Sequence, residues 1–343
     1  MTMIRTMLAS TIVLGALTTT AIAQEATLRF HQMLPPQATI PAKAIRPWAE
    51  KVMAESNGRL KIEVYDTMAL GGKPPELYDQ AKDGVVDLIW TVIGYTPGRF
   101  PSTEVFELPF VMTTGEATSR AIQEYCEKRC QEEFAGVKVI AWHAHGPGLI
   151  HSARPVEKLE DMRGLKIRGG SRVINQMLEK LGATPVGMPV PAVSEALSKG
   201  VIDATTIPWE VTPALKVSEL VRNHTEFSGR NGLYTQTFVV AMNLDSYNSL
   251  PDDLKAVIDA NSGMEAAALF GRAMDEGDKV GREIAVKAGN NIITLDEAET
   301  QRWKDTAAPL IDAWIEEMNA KGLDGKALLE EARALLDKHT GSM

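Results

Sequence analysis

Two cysteines, six histidines and no excess of glycine or proline stand among the 343 residues. Two cysteines are too few for a disulfide scaffold, and the glycine and proline content is not that of a disordered or collagen-like chain. Positive charge is also short: 36 Lys and Arg face 45 Asp and Glu, a net charge of -9, which argues against a nucleic-acid partner and against an anionic membrane surface. It does not exclude an anionic ligand, because one buried arginine outweighs a diffuse acidic surface. Several catalytic signatures are missing as well: G-x-S-x-G, G-x-G-x-x-G, a Walker loop and H-E-x-x-H do not occur. No apolar run after the first residues is long enough to span a bilayer.

The N-terminus is a different kind of segment. Arg5 is the only charge before Glu25, an apolar run covers Met7 to Leu17, and Ala21-Ile22-Ala23 offers small residues for cleavage. Residues 1–23 therefore read as a signal peptide cut after Ala23, with a membrane anchor as the alternative. The run is short for a spanning helix, and no cysteine stands at the cut to carry a lipid. An exported, periplasmic protein is expected. In that oxidising compartment Cys126 and Cys130, four apart on a helix, either pair or remain free thiols.

What remains, 44% hydrophobic and 24% charged, is ordinary globular composition with enough apolar residues for two lobes. Leu28 and Phe30, then Leu60, Ile62 and Val64, alternate with polar residues as strands do. Ile45, Trp48, Ala49, Val52 and Met53 recur at helical spacing between them, and Val86 to Thr91 reads as a buried strand. The pattern returns with strands at Val139–Trp142, Leu165–Arg168 and Ile202–Ile207 and helices at Val173–Leu181 and Val193–Lys199. Tyr234 to Met242 is a further strand. A helical stretch from Pro251 to about Ala288 follows, near forty residues, then helices around Glu297–Met318 and Lys326–Lys338. The fold class is α/β.

His143, His145 and His151 fall within ten residues, and an H-x-H on a strand points both rings to one face. A metal-dependent periplasmic enzyme built on this trio is one reading. No carboxylate lies in the segment and the third histidine follows two glycines, so no metal and no cofactor are expected, with single histidines lining a cleft or filling the core.

Four stretches, in order, carry a resemblance. They are Gly71-Gly72-x-x-x-Glu76; Glu107-Leu108-Pro109-Phe110; Leu159 to Arg168 (LEDMRGLKIR); and Leu181 to Pro189 (LGATPVGMP), which runs on to Ala196-Leu197-Ser198-Lys199-Gly200-Val201-Ile202-Asp203. Together they resemble the DctP-type solute-binding subunits of tripartite ATP-independent periplasmic (TRAP) transporters. The resemblance implies a periplasmic-binding-protein-like fold of two α/β lobes, a ligand cleft between them and a long helix bracing both. The lobes would comprise 24–146 with 234–272, and 147–233 with 273–343. It implies a binding subunit rather than an enzyme, a small organic acid as ligand, and the membrane permease subunits as partners. It also implies that Arg168 forms a salt bridge to the ligand carboxylate, for which a guanidinium fork is well matched. The alternative for Arg168 is a surface position sharing a face with Lys166.

Departures from the family pattern bear on the ligand. Val190 stands where many relatives have a bulky aromatic, Ile207 where they have asparagine, and a second arginine used by some is replaced near Gly148. Trp90, Tyr95 and Trp209 are candidate aromatic walls, with core packing as the alternative for each tryptophan. Tyr234 and His145 are candidates to meet a ligand hydroxyl. An apolar pocket with one arginine suits a monocarboxylate with an aromatic body; a C4-dicarboxylate or a sugar acid is the alternative within the family.

Overall fold

The computed structural model describes residues 24–341; the expected signal peptide lies outside them. The strands, in chain order, are β1 (Ala26–His31), β2 (Leu60–Tyr65), β3 (Leu88–Val92), β4 (Val137–Ala144), β5 (Leu149–Ser152), β6 (Lys166–Gly169), β7 (Thr184–Gly187), β8 (Ala204–Ile207), β9 (Asn223–Phe227), β10 (Thr237–Asn243) and β11 (Asn291–Leu295). They form two sheets, ordered β2-β1-β3-β10-β4 and β11-β9-β5-β8-β6-β7. Each sheet is the centre of one α/β lobe.

In the first lobe β1 lies parallel to β2 and β3, while β10 runs antiparallel to both β3 and β4. All five residues of β3 are buried, which is why it reads as a continuous apolar run rather than an alternation. In the second lobe β6 is parallel to β7 and β8, and β5 is antiparallel to β8 and β9. The chain passes between sheets three times: after β4, after β9 and after β10. Two of these crossovers touch, the Gly148 N–H donating to the Tyr234 carbonyl at 2.9 Å.

The expected forty-residue helix is two helices, Asp252–Ala260 and Met264–Lys287. Gly263 interrupts it with φ +76° and ψ -141°, a region that essentially only glycine occupies. Its N–H donates to the Ile140 carbonyl of β4 at 2.7 Å, so the break is pinned to the sheet. The second helix, 24 residues and about 36 Å long, still braces both lobes. Asp275 accepts from the Gly115 and Glu116 N–H groups at 2.6 and 2.8 Å, capping the helix Gly115–Arg129 beside the first sheet. One turn on, Asp278 accepts from the Glu210 N–H at 2.7 Å, holding the turn that follows β8. Two acids three residues apart share a helical face, so one face grips both lobes.

Cys126 and Cys130 are joined as a disulfide with Cα atoms 4.5 Å apart, at the C-terminal end of the Gly115–Arg129 helix. Among the described residues no helix is long and apolar enough to cross a membrane.

Gly263→Ala places an L side chain in a strained backbone region without a steric clash, since no other atom lies closer than 3.8 Å to the new Cβ. Chemical denaturation should show a loss of about 1–3 kcal/mol. Ligand affinity should be unchanged.

Candidate functional site

Arg168 leaves the end of β6 and is completely buried. Its Nε donates to the Met188 carbonyl at 2.9 Å and its Nη1 to the Thr206 carbonyl at 3.2 Å. Nη2 closes no hydrogen bond. No carboxylate pairs with the guanidinium among the described residues. A full positive charge held away from water by two carbonyls alone is an unfinished arrangement: a buried charge is stable only when paired. The guanidinium is left without a counter-charge among the described residues.

Three of the residues named from sequence gather around it. The Tyr95 phenol is buried beside the guanidinium; burial pushes its pKa up and the Arg168 charge opposes the rise. Tyr234 is also buried, and its hydroxyl closes no hydrogen bond. Burial raises its pKa too, again against the pull of Arg168, so both phenols stay protonated and able to donate. His145 is close enough to feel Arg168, and its ring meets Tyr234 edge-on at 5.5 Å.

His145 does not have a free nitrogen for a ligand hydroxyl. Its Nδ1 faces the Gly146 carbonyl and its Nε2 accepts from the Gln236 N–H at 3.1 Å. Burial lowers its pKa to about 3, so it stays neutral and adds no second positive charge. Its role here is to tie the crossover after β4 to the run entering β10.

An aromatic wall continues from this point. Phe238 lies 6.1 Å from His145, edge to face, and stacks on Trp90 at 5.2 Å. Trp90 donates its indole N–H to His143 Nε2 at 2.8 Å. Trp90 is therefore tied into the first lobe's core, with Phe238 between its ring and His145.

Val190 and Ile207 contribute through their backbones. The Val190 N–H donates to the Tyr95 hydroxyl at 2.8 Å, a bond between lobes. The Ile207 carbonyl faces His151 Nε2 at 3.2 Å. Trp209 is not brought to Arg168. Its indole N–H donates to Glu226 at 2.8 Å and its ring packs on His151 and His224. It lines a separate cavity of about 290 Å³ beside the crossovers and the brace helix.

The three histidines weighed as a metal trio separate. His143 bonds Trp90, His145 bonds backbone, and His151 sits in the second sheet 2.7 Å from His224. Among the described residues no group of three or more His, Cys, Asp or Glu side chains could hold a metal ion.

The lobes meet along a cleft of about 310 Å³ lined by Pro75 and Tyr95 on one side and by Gly170, Ser171, Met188 and Pro189 on the other. Two further contacts close it. Ser171 Oγ donates to Glu107 Oε2 at 2.6 Å, and Glu107 Oε1 accepts from the Thr237 N–H and hydroxyl, each at 3.0 Å. Arg172 forms ion pairs with Glu104 and Glu317. Glu107 and Gln236 were not singled out as site residues. Glu107 lies inside the Glu107-Leu108-Pro109-Phe110 motif; Gln236 stands in the irregular run before β10, which begins at Thr237 rather than at the expected Tyr234.

Residues 30–317 match DctP, bacterial extracellular solute-binding protein family 7. The chain is 49% identical to a TRAP solute-binding protein from Rhodoferax ferrireducens T118, solved with copurified benzoate (TM-score 0.91, covering 92% of this chain and 99% of that one). It is 48% identical to a marine metagenome TRAP protein specific for aromatic acid ligands, solved with 3-hydroxybenzoate (TM-score 0.91, 92% and 99%). A TRAP protein from Bordetella bronchiseptica, with bound (R)- and (S)-mandelate, is 30% identical (TM-score 0.85, 91% and 99%).

Burial pushes the Glu107 pKa up to about 7, against an ordinary carboxylate value in the unfolded chain. The folded state then holds this proton more tightly, and its stability falls as pH rises from about 4.5 through about 7. Glu107→Gln removes that dependence. Melting curves at pH 5 and pH 8 should show the variant gaining on wild type at the higher pH.

Proposed function

The chain belongs to family 7 of the bacterial extracellular solute-binding proteins, the DctP family, and we propose that its interlobe cleft captures an aromatic monocarboxylate through an Arg168–carboxylate salt bridge. Proteins of this family bind small organic acids for transporters and are not enzymes. The observation that carries the ligand reading is the Arg168 guanidinium: wholly buried, without an acidic partner, and with Nη2 unpaired. A carboxylate supplies the missing charge and accepts in the plane of the fork. Tyr95 offers aromatic surface beside it, and Phe238 meets His145, which also feels its charge. The benzoate, hydroxybenzoate and mandelate complexes of the similar proteins support the same ligand class.

The lobes would divide at 146/147, 233/234 and 272/273, close on the ligand as a hinge, and present the closed form in the periplasm to the membrane permease subunits of a TRAP transporter. Val190 and Ile207 leave the pocket without the bulky or amide side chains of many relatives. That absence favours a flat ring over a polyhydroxylated acid.

Thermal-shift and calorimetric titration with benzoate, 3-hydroxybenzoate, succinate and a sugar acid test the reading. The two aromatic acids should raise the melting temperature of wild type by mass action. Arg168→Ala should weaken benzoate by about 2–5 kcal/mol, and Arg168→Lys by less, since lysine keeps the charge and loses the fork. Preference for succinate or the sugar acid, or undiminished benzoate binding by Arg168→Ala, would overturn it.

A further inference from the structure

Resting on the aromatic-carboxylate reading, the structure carries one step more, at a residue outside the expected set. Gln236 is 4% exposed and its Nε2 closes no hydrogen bond. Its stem is fixed: the backbone N–H donates to His145 Nε2, and the neighbouring Thr235 hydroxyl donates to the His145 carbonyl at 2.8 Å. The amide lies across Gly170, where a Cβ would stand only 2.2 Å from Oε1 and 2.5 Å from Nε2. Gly170 follows Arg168 by two residues. The side chain thus starts on the run entering β10 of the first sheet and ends on the loop leaving β6 of the second, beside the anchor.

A buried amide nitrogen without an acceptor costs stability, and a cross-lobe position filled for packing alone would be better served by leucine. Two other buried donors lack acceptors: Tyr234 Oη, two residues before Gln236, and Arg168 Nη2, two residues before Gly170, which the amide crosses. Three donors and one positive charge match one carboxylate group, which accepts at two oxygens.

We propose that Gln236 Nε2 donates to the ligand carboxylate oxygen on the far side from the Arg168 fork, so that one carboxylate is held by a cation from the second lobe and an amide from the first. Gln236 is a specificity residue in two senses. It requires a carboxylate rather than a lone anionic atom, and it makes closure depend on that carboxylate being present. An acid with a second charged group close to the first finds no free second cation among the described residues, since Arg172 on the cleft wall is already paired with Glu104 and Glu317.

The test is calorimetry and stopped-flow binding of benzoate to the purified protein, beside Gln236→Leu, Gln236→Glu and Gly170→Ala. Gln236→Leu should weaken benzoate about 10- to 100-fold, the loss expected for one hydrogen bond to a charged group. The loss should appear in the dissociation rate, while the ligand-free melting temperature holds or rises. Gly170→Ala, which displaces the amide without deleting it, should weaken benzoate in the same direction. Gln236→Glu should bind benzoate poorly at pH 8 and recover part of its affinity at pH 5, where the protonated acid donates in place of the amide; a packing role gives no such recovery. If wild type binds benzoate and Gln236→Leu binds it within about threefold, the Gln236 assignment is overturned and the Arg168 reading stands. If wild type binds no aromatic acid, both fall together.

Discussion

A positive charge sealed between two lobes without a counter-charge organises this molecule. Arg168 is wholly buried, and two backbone carbonyls satisfy part of its hydrogen-bonding capacity and none of its charge. Every neighbour fits that condition. His145 is kept neutral, and Tyr95 and Tyr234 are kept protonated. Low polarity around the guanidinium strengthens its pull on a carboxylate, since the interaction is screened far less than in water. The scaffold holds the charge in place and, among the described residues, supplies no acidic partner for it.

The scaffold does this with few parts. The crossovers that join the sheets also carry these residues: His145 opens one, and Tyr234 and Gln236 end another. Closure contacts sit just past the anchor in sequence, with Ser171 and Arg172 at the start of the helix that follows β6. Five residues, Arg168 to Arg172, therefore hold the unpaired guanidinium and two lobe-to-lobe contacts. Displacement of one is felt by the others through a short, glycine-containing backbone. The brace helix holds the opposite side, with Asp275 on one lobe and Asp278 on the other.

Much of this was legible in the residues, though unevenly. Alternation gave β1 and β2, and the buried run gave β3, because these strands carry enough side chains for a period to emerge. The short strands β5 and β7 were not separable from loops: four residues do not establish a period, and proline at 185 and glycine at 187 read as turn. The helical stretch after Pro251 was joined across Gly263 because one glycine in a helical pattern is tolerated; its pairing with Ile140 is a tertiary fact that no local pattern contains. At the site, Arg168 was reached through resemblance and Tyr234 through residue type. Trp209 was the misleading candidate, since an indole near a strand end is equally suited to core packing, which is where its ring lies. Gln236 carries no local signal: it stands in the irregular run before β10, where no strand period applies.

The bond from the Val190 N–H to the Tyr95 hydroxyl has an evolutionary corollary. Its donor is main chain, so no exchange of the residue-190 side chain, proline excepted, removes it. Position 190 can drift between small and bulky residues without altering the donor that helps seal the lobes. Tyr95 has no such freedom, because the hydroxyl is its own. Side-chain change is thereby uncoupled from loss of closure at one partner and tied to it at the other.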